Sequence, residues 1–201
     1  MKFSPLDRRI EIVTLPQGTF YGHERARRRI GGLLLTETAY RPREALPRHD
    51  HERAYFCLVL GGGFVERDGT RVMECPPATV LFHPPGAAHS DGFGDRPSRC
   101  FNVELDGGWL RRMTEEAGGL PEGSLGLRRR RANWLAGHIH QEFHAGDPAG
   151  GLAIEGLALA LVADVARARH GESTGPTPAW IDRVVELLHA TVIEGPPALA
   201  E

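Results

Sequence analysis

The sequence predicts a mainly β fold with α, in which antiparallel strands in a barrel or sandwich are followed by helices. Three observations carry this expectation. Up to about residue 110, short apolar segments rich in Val, Phe, Leu and Thr alternate with turn residues. Beyond it, apolar residues recur every three to four positions. Glycine (25) and proline (15) make up about a fifth of the 201 residues, against a usual share of roughly an eighth, and so supply many tight turns.

The expected strands lie, in chain order, in residues 30–40 (IGGLLLTETAY), 53–60 (RAYFCLVL), 63–75 (GFVERDGTRVMEC), 78–86 (ATVLFHPPG), 87–94 (AAHSDGFG) and 98–105 (SRCFNVEL). Asp68-Gly69 is the clearest hairpin turn. Gly61, Gly62 and Gly63 separate two strands, and with no helix pattern after them they are not read as a phosphate loop. One helix is expected over 134–144, where Trp134, Leu135, Ile139 and Phe143 share a stripe. A second spans 152–170 through Ile154, Leu157, Leu161, Val162 and Val165. A third opens at Thr177-Pro178, an N-cap followed by proline at the first helical position. The stretch GESTGPTP (171–178) reads as the linker before it, and no internal repeat is found.

Composition excludes several classes. A chain that is 41% hydrophobic and 25% charged is not disordered throughout. A net charge of −2 gives no electrostatic case for nucleic-acid binding by this chain itself. Cys57, Cys75 and Cys100 are odd in number and form no Cys-x-x-Cys pair, which fits a reducing compartment. The start MKFSPLDRRIEI lacks the apolar core of a signal peptide, and the most apolar stretch, from Gly156, meets Asp164 far short of a membrane span. The expected location is the cytoplasm, with no membrane partner.

Four of the ten histidines, His49, His51, His83 and His89, fall in one short window. His49 and His51 are two apart, which on a strand places both imidazoles on one face. Two such rings facing a barrel interior can share a metal ion with a third ligand from another strand, for which His89 is the natural candidate. The metal-free reading is that these are packed or hydrogen-bonded groups lining a pocket. Spacing leaves the facing of His83 undetermined, and does not show whether Glu104 or Asp91 points inward. His140 and His144 are four apart, but Gln141 stands where a zinc-protease helix needs glutamate, so they are read as the outer face of an amphipathic helix. The run Arg128–Arg131 is read as solvated surface. No nucleophile stands in a recognisable setting.

Residues 49–63 resemble the first cupin motif through His49, His51 and Gly62, and residues 78–93 resemble the second through Pro84, Gly86 and His89. Four positions depart from the pattern. Tyr55 stands where metal-binding cupins usually carry glutamate, Arg43 and Ala78 where each motif opens with glycine, and Phe93 where the second closes with asparagine. The resemblance implies a jelly-roll barrel with a pocket formed by His49, His51, Tyr55, His89 and Glu104. It also implies a candidate metal site of His49, His51 and His89 for a divalent transition metal (zinc, iron, manganese or nickel).

Over residues 30–192 the order of elements resembles the amino-terminal half of AraC-type transcriptional regulators. The stretches that carry it are HERAYFCLVLGGGFVERDG, TVLFHPPGAAHSDGFG and RCFNVEL, then HQEFHAGDPAGGLAIEGLALALVADVARARHG. The resemblance implies an effector-binding barrel at 1–112, a helical dimerisation segment at 113–176, and the incomplete start of a helix-turn-helix DNA-binding domain at 177–201. Its implied partners are a small-molecule effector, a second copy of the chain, and DNA only through the missing carboxy-terminal domain. Nine residues after Val192 are too few for a recognition helix, so the chain as given is expected to sense and dimerise without reading DNA. The alternative is a metal-dependent cupin enzyme, a dioxygenase or isomerase with three histidine ligands. The helical second half favours the sensor.

Overall fold

The computed structural model of the chain describes residues 12–115, 119–127 and 130–169. The expected third helix and the DNA-binding start at 177–201 lie outside them. Eleven strands and three helices follow in order: β1 (Val13–Leu15), β2 (His23–Ile30), β3 (Leu33–Tyr40), β4 (His49–His51), β5 (Tyr55–Gly61), β6 (Phe64–Asp68), β7 (Arg71–Cys75), β8 (Val80–His83), β9 (Ser90–Phe93), β10 (Ser98–Leu105), α1 (Gly107–Thr114), β11 (Leu125–Leu127), α2 (Arg130–Ala145) and α3 (Gly150–Arg169).

The main sheet runs β11-β8-β5-β10-β3-β2, with every pairing antiparallel. Facing it is the three-stranded β7-β6-β9, extended by the bridges Ala45 to Gly92 and His49 to His89 toward the parallel pair β4-β1. These facing antiparallel sheets make the cupin-like β fold expected from the sequence. β6 and β7 close into a hairpin in which Asp68 faces Arg71 and Gly69 adopts a φ of 56°, as the Asp-Gly pair predicts. β11 lies beyond residue 112 and still joins the main sheet, on β8.

Strand alternation divides the apolar residues between two cores. On one face of the main sheet, Leu33, Leu35, Phe56, Leu58, Phe82, Phe101 and Val103 pack under the helices. On the other, Tyr40, Tyr55, Cys57, Val59, Leu81 and Cys100 meet Phe64, Met73 and Phe93 of the second sheet. The central strand β5 is therefore buried on both faces, which is why its sequence YFCLVL shows no polar alternation.

The helices cover the outer face of the main sheet. α1 begins where the Asp106 carboxylate accepts the backbone N–H groups of Gly108 (2.9 Å) and Trp109 (3.1 Å). α2 buries Leu135, Ile139 and Phe143, and α3 buries Ile154, Leu161, Val162 and Val165. Trp134, Leu152 and Leu159 remain exposed, Leu152 at 81% and Leu159 at 40%. No helix among the described residues is long and apolar enough to cross a membrane.

Arg43 and Ala78 adopt left-handed φ values of 60° and 67°. These are the two positions where the cupin pattern has glycine, so the backbone turn is kept although the residue suited to it is gone.

Candidate functional site

Four histidines converge inside the barrel. β4 projects His49 and His51 to one face, with their ring centroids 5.2 Å apart. His89 is brought beside them by a reciprocal backbone pair: His49 N–H donates to His89 C=O and His89 N–H to His49 C=O, both at 2.8 Å. This places the His89 ring 4.4 Å from that of His49. His83, at the end of β8, lies 4.5 Å from His89 and stacks 4.6 Å from Tyr55. Glu66 of β6 and Asp91 of β9 complete the wall. Phe20 and Tyr21, between β1 and β2, cover it with rings 4.9 Å from His51 and His49 respectively. The free volume between these groups is about 20 Å3, room for one water or ion.

Backbone carbonyls set the tautomers. His49 Nδ1 lies 2.9 Å from Pro47 C=O and His89 Nδ1 lies 3.0 Å from Ala87 C=O. A carbonyl only accepts, so both Nδ1 atoms carry hydrogen, and the neutral rings offer Nε2 lone pairs. The Tyr55 hydroxyl reaches the one on His89 at 3.3 Å. Burial keeps all four rings neutral. It lowers the pKa of His49, lowers His83 well below the usual histidine value, and takes His51 to about 3 and His89 to about 4, with the neighbouring imidazoles adding to the last three. Burial also lifts Glu66 to about 8, helped by Asp91, and Asp91 to about 7. Glu66 Oε2 lies 3.3 Å from His83 Nε2, while His83 Nδ1 contacts Ser124 Oγ at 3.0 Å.

This donor set fits a divalent transition metal. Ligand atoms of His49, His51 and His89 lie within 4.8 Å of one another, and His51 Nδ1 is buried without a hydrogen-bond partner. Glu66, His83 and His89 form an overlapping set. The chamber thus presents imidazole acceptors beside hydroxyl and carboxyl donors, the chemistry needed to hold a metal or a small polar molecule.

Of the residues singled out from the sequence, His49, His51, Tyr55 and His89 share this chamber. Glu104 does not line it. Both of its carboxylate oxygens accept the backbone N–H of Gly18, at 3.0 and 2.9 Å. Asp91 does face inward, as does His83, whose direction the sequence left open. Glu66 was missed. Its signal was the alternation of FVERD, which places it on the same strand face as Phe64. Outside the barrel, His140 is not on the outer face of its helix but contacts Glu37 of β3, and Arg131 pairs with Asp164 at 3.4 Å.

Residues 32–162 match the AraC-like ligand binding domain family. Among solved structures, the AraC-like transcriptional activator CuxR is similar over 87% of this chain and 65% of its own length, at 16% identity and a TM-score of 0.53. A cupin superfamily protein from Desulfitobacterium hafniense matches over 42% of this chain and 76% of its own, at 15% identity and a TM-score of 0.38. The polyketide cyclase RemF from Streptomyces resistomycificus matches 36% of this chain and 54% of its own, at 29% identity and a TM-score of 0.34. The chain thus spans about two-thirds of the activator's length and about half of the cyclase's. No curated protein matches the sequence significantly.

Proposed function

The chain belongs to the AraC-like ligand binding domain family, which covers its residues 32–162, and on that premise we propose that it is the ligand-sensing and dimerisation portion of an AraC-type transcriptional regulator. A small-molecule effector enters the barrel in the cytoplasm, and the helical segment carries the signal to an attached DNA-binding domain. The narrow chamber lined by histidines, carboxyl groups and aromatic rings is the observation that carries this reading. Its free volume of about 20 Å3 takes a water or an ion, so an organic effector displaces lining groups on entry, the Phe20 and Tyr21 rings among them. His49, His51 and His89 accept hydrogen bonds or hold a metal, Tyr55 donates, and Glu66 and Asp91 add carboxyl groups to the lining. A bound metal would supply a Lewis-acid anchor for an oxygen-bearing effector.

Dimerisation is proposed through α2 and α3. α3 is apolar on more than one side. Ile154, Leu161 and Val165 are used within the chain, whereas Leu152 and Leu159, with Trp134 of α2, are uncovered. Leu159→Glu is expected to yield monomers that keep the barrel's circular dichroism, while the unmodified chain sediments as a dimer at tens of micromolar. A monomeric unmodified chain would end the dimer reading.

The second reading, a metal-dependent cupin dioxygenase or isomerase, is favoured by one observation. Carbonyl bonds at Nδ1 leave the Nε2 atoms of His49 and His89 as the rings' acceptors, the one on His89 shared with the Tyr55 hydroxyl. Metal analysis of the purified chain separates the readings. Stoichiometric iron, manganese or nickel with turnover supports the enzyme, and a metal-free chain stabilised by a small molecule supports the sensor.

A further inference from the structure

Across the main sheet from the chamber, a second cluster joins the barrel to the helices. Alternation on β3 puts Glu37 on the face of Leu33 and Leu35, under α2. Its carboxylate is only 6% exposed. One turn apart on α2, His140 and His144 present their rings to it. His140 Nε2 and His144 Nε2 each lie 3.2 Å from Glu37 Oε2, and 3.2 Å from each other. The other oxygen, Oε1, is engaged by Arg99 at 3.4 Å and Arg25 at 3.6 Å.

The geometry points to a second metal site, in which Glu37, His140 and His144 bind a zinc-type divalent cation and tie α2 to the barrel.

Three observations support it. The first is the triangle itself. A tetrahedral ion with arms of about 2.1 Å has ligands about 3.4 Å apart, so three donors 3.2 Å apart need only a small shift to receive one. The second is crowding. If both rings donate Nε2–H to Oε2, two hydrogens converge on one oxygen from nitrogens 3.2 Å apart, and an ion replaces both with one shared charge. The third is orientation. Arg25 and Arg99 hold Oε1 and so fix Oε2 toward the imidazoles, as partners of a ligating carboxylate do. Both arginines are half exposed, so solvent screens much of their repulsion of a cation. Two imidazoles and one carboxylate suit zinc, and the fourth position opens toward His144, which is 53% exposed.

The site is independent of the effector chamber, so its test can be read whether or not the barrel also takes metal. The chelator-stripped full chain is titrated with zinc alone against a chromophoric competitor, beside His144→Ala and Glu37→Gln. His144 is exposed enough for its variant to fold, and Glu37→Gln keeps the side-chain shape while removing the charge. Each variant is expected to bind one zinc fewer than the unmodified chain, or to hold that zinc at least about a hundredfold more weakly. Cobalt loaded in zinc's place should lose one set of tetrahedral absorption bands in His144→Ala. Unchanged zinc stoichiometry and affinity in both variants would overturn the site, as would an unmodified chain that takes up no zinc.

Discussion

The metal-free chain is expected to lose stability steeply as the pH falls from 6.5 to 4.5. His49, His51, His83 and His89 are held neutral in the fold, with values of about 3 for His51 and about 4 for His89, whereas unfolded histidine titrates near 6.5. Below about pH 6.5 the unfolded chain takes up protons that the folded chain refuses, which draws the equilibrium toward unfolding. Glu66 and Asp91 act in the opposite sense. Raised to about 8 and about 7, they strain the fold while the solution is near neutral, and that strain is relieved as the pH falls. Burial also lowers His140 and raises Glu104, so five groups oppose three and the histidines win. Each unmatched proton is worth about 1.4 kcal/mol per pH unit, which gives a ceiling of about 3 kcal/mol per unit. Against a total stability of roughly 5–15 kcal/mol, two units are a large fraction. Urea unfolding at pH 6.5, 5.5 and 4.5 in the presence of a chelator measures the slope. Stability that stays flat or rises on acidification would mean that these rings are charged in the folded barrel.

Gly62→Ala is expected to destabilise the fold by about 3 kcal/mol, and Gly69→Ala by only about 1 kcal/mol. Both glycines occupy left-handed backbone, at φ of 76° and 56°. They differ in what surrounds them. A Cβ at Gly62 would stand 2.3 Å from Ser98 Oγ and 2.4 Å from Pro97 C=O, whereas one at Gly69 would meet nothing within 4 Å. The Ser98 hydroxyl cannot simply move aside. It donates to Gly63 C=O at 2.9 Å and accepts from Gly63 N–H at 3.1 Å, fixing the β5–β6 turn to the start of β10. Both variants carry the conformational cost of about 1–2 kcal/mol, and only Gly62→Ala adds the overpacking cost of about 1–3 kcal/mol. Equal shifts in denaturant midpoint for the two variants would remove the packing argument.

Much of the architecture was readable in advance because it depends on local pattern. The strands β3, β6, β7, β8, β9 and β10 fall within the apolar segments expected for them, β5 passes the end of its segment by Gly61 alone, and α2 and α3 follow their stripes to within a few residues. β4 was not among the expected strands, but once a strand forms there the spacing of His49 and His51 suffices to put both on one face. β2 was not legible. Its sequence HERARRRI is mostly charged, and it is a strand because it forms the outer edge of the sheet, paired to β3, where arginines can stay in water. β1 and β11, three residues each, are likewise defined by the partners they pair with, β4 and β8.

Local alternation says which side chains share a face, but not which face is inside or what lies opposite. The sequence by itself determined a β barrel followed by helices, a histidine pair on one strand, and His89 as its companion by motif. The tertiary structure decided that Asp91, Glu66 and His83 join them, that Glu104 is taken by Gly18, and that Glu37 meets His140 across 103 residues of chain. The physical reason is that each of these contacts is fixed by register between distant strands, or by a helix docked on the far face of a sheet. Such pairings are set by the whole hydrophobic core closing at once, and no short window of sequence contains them.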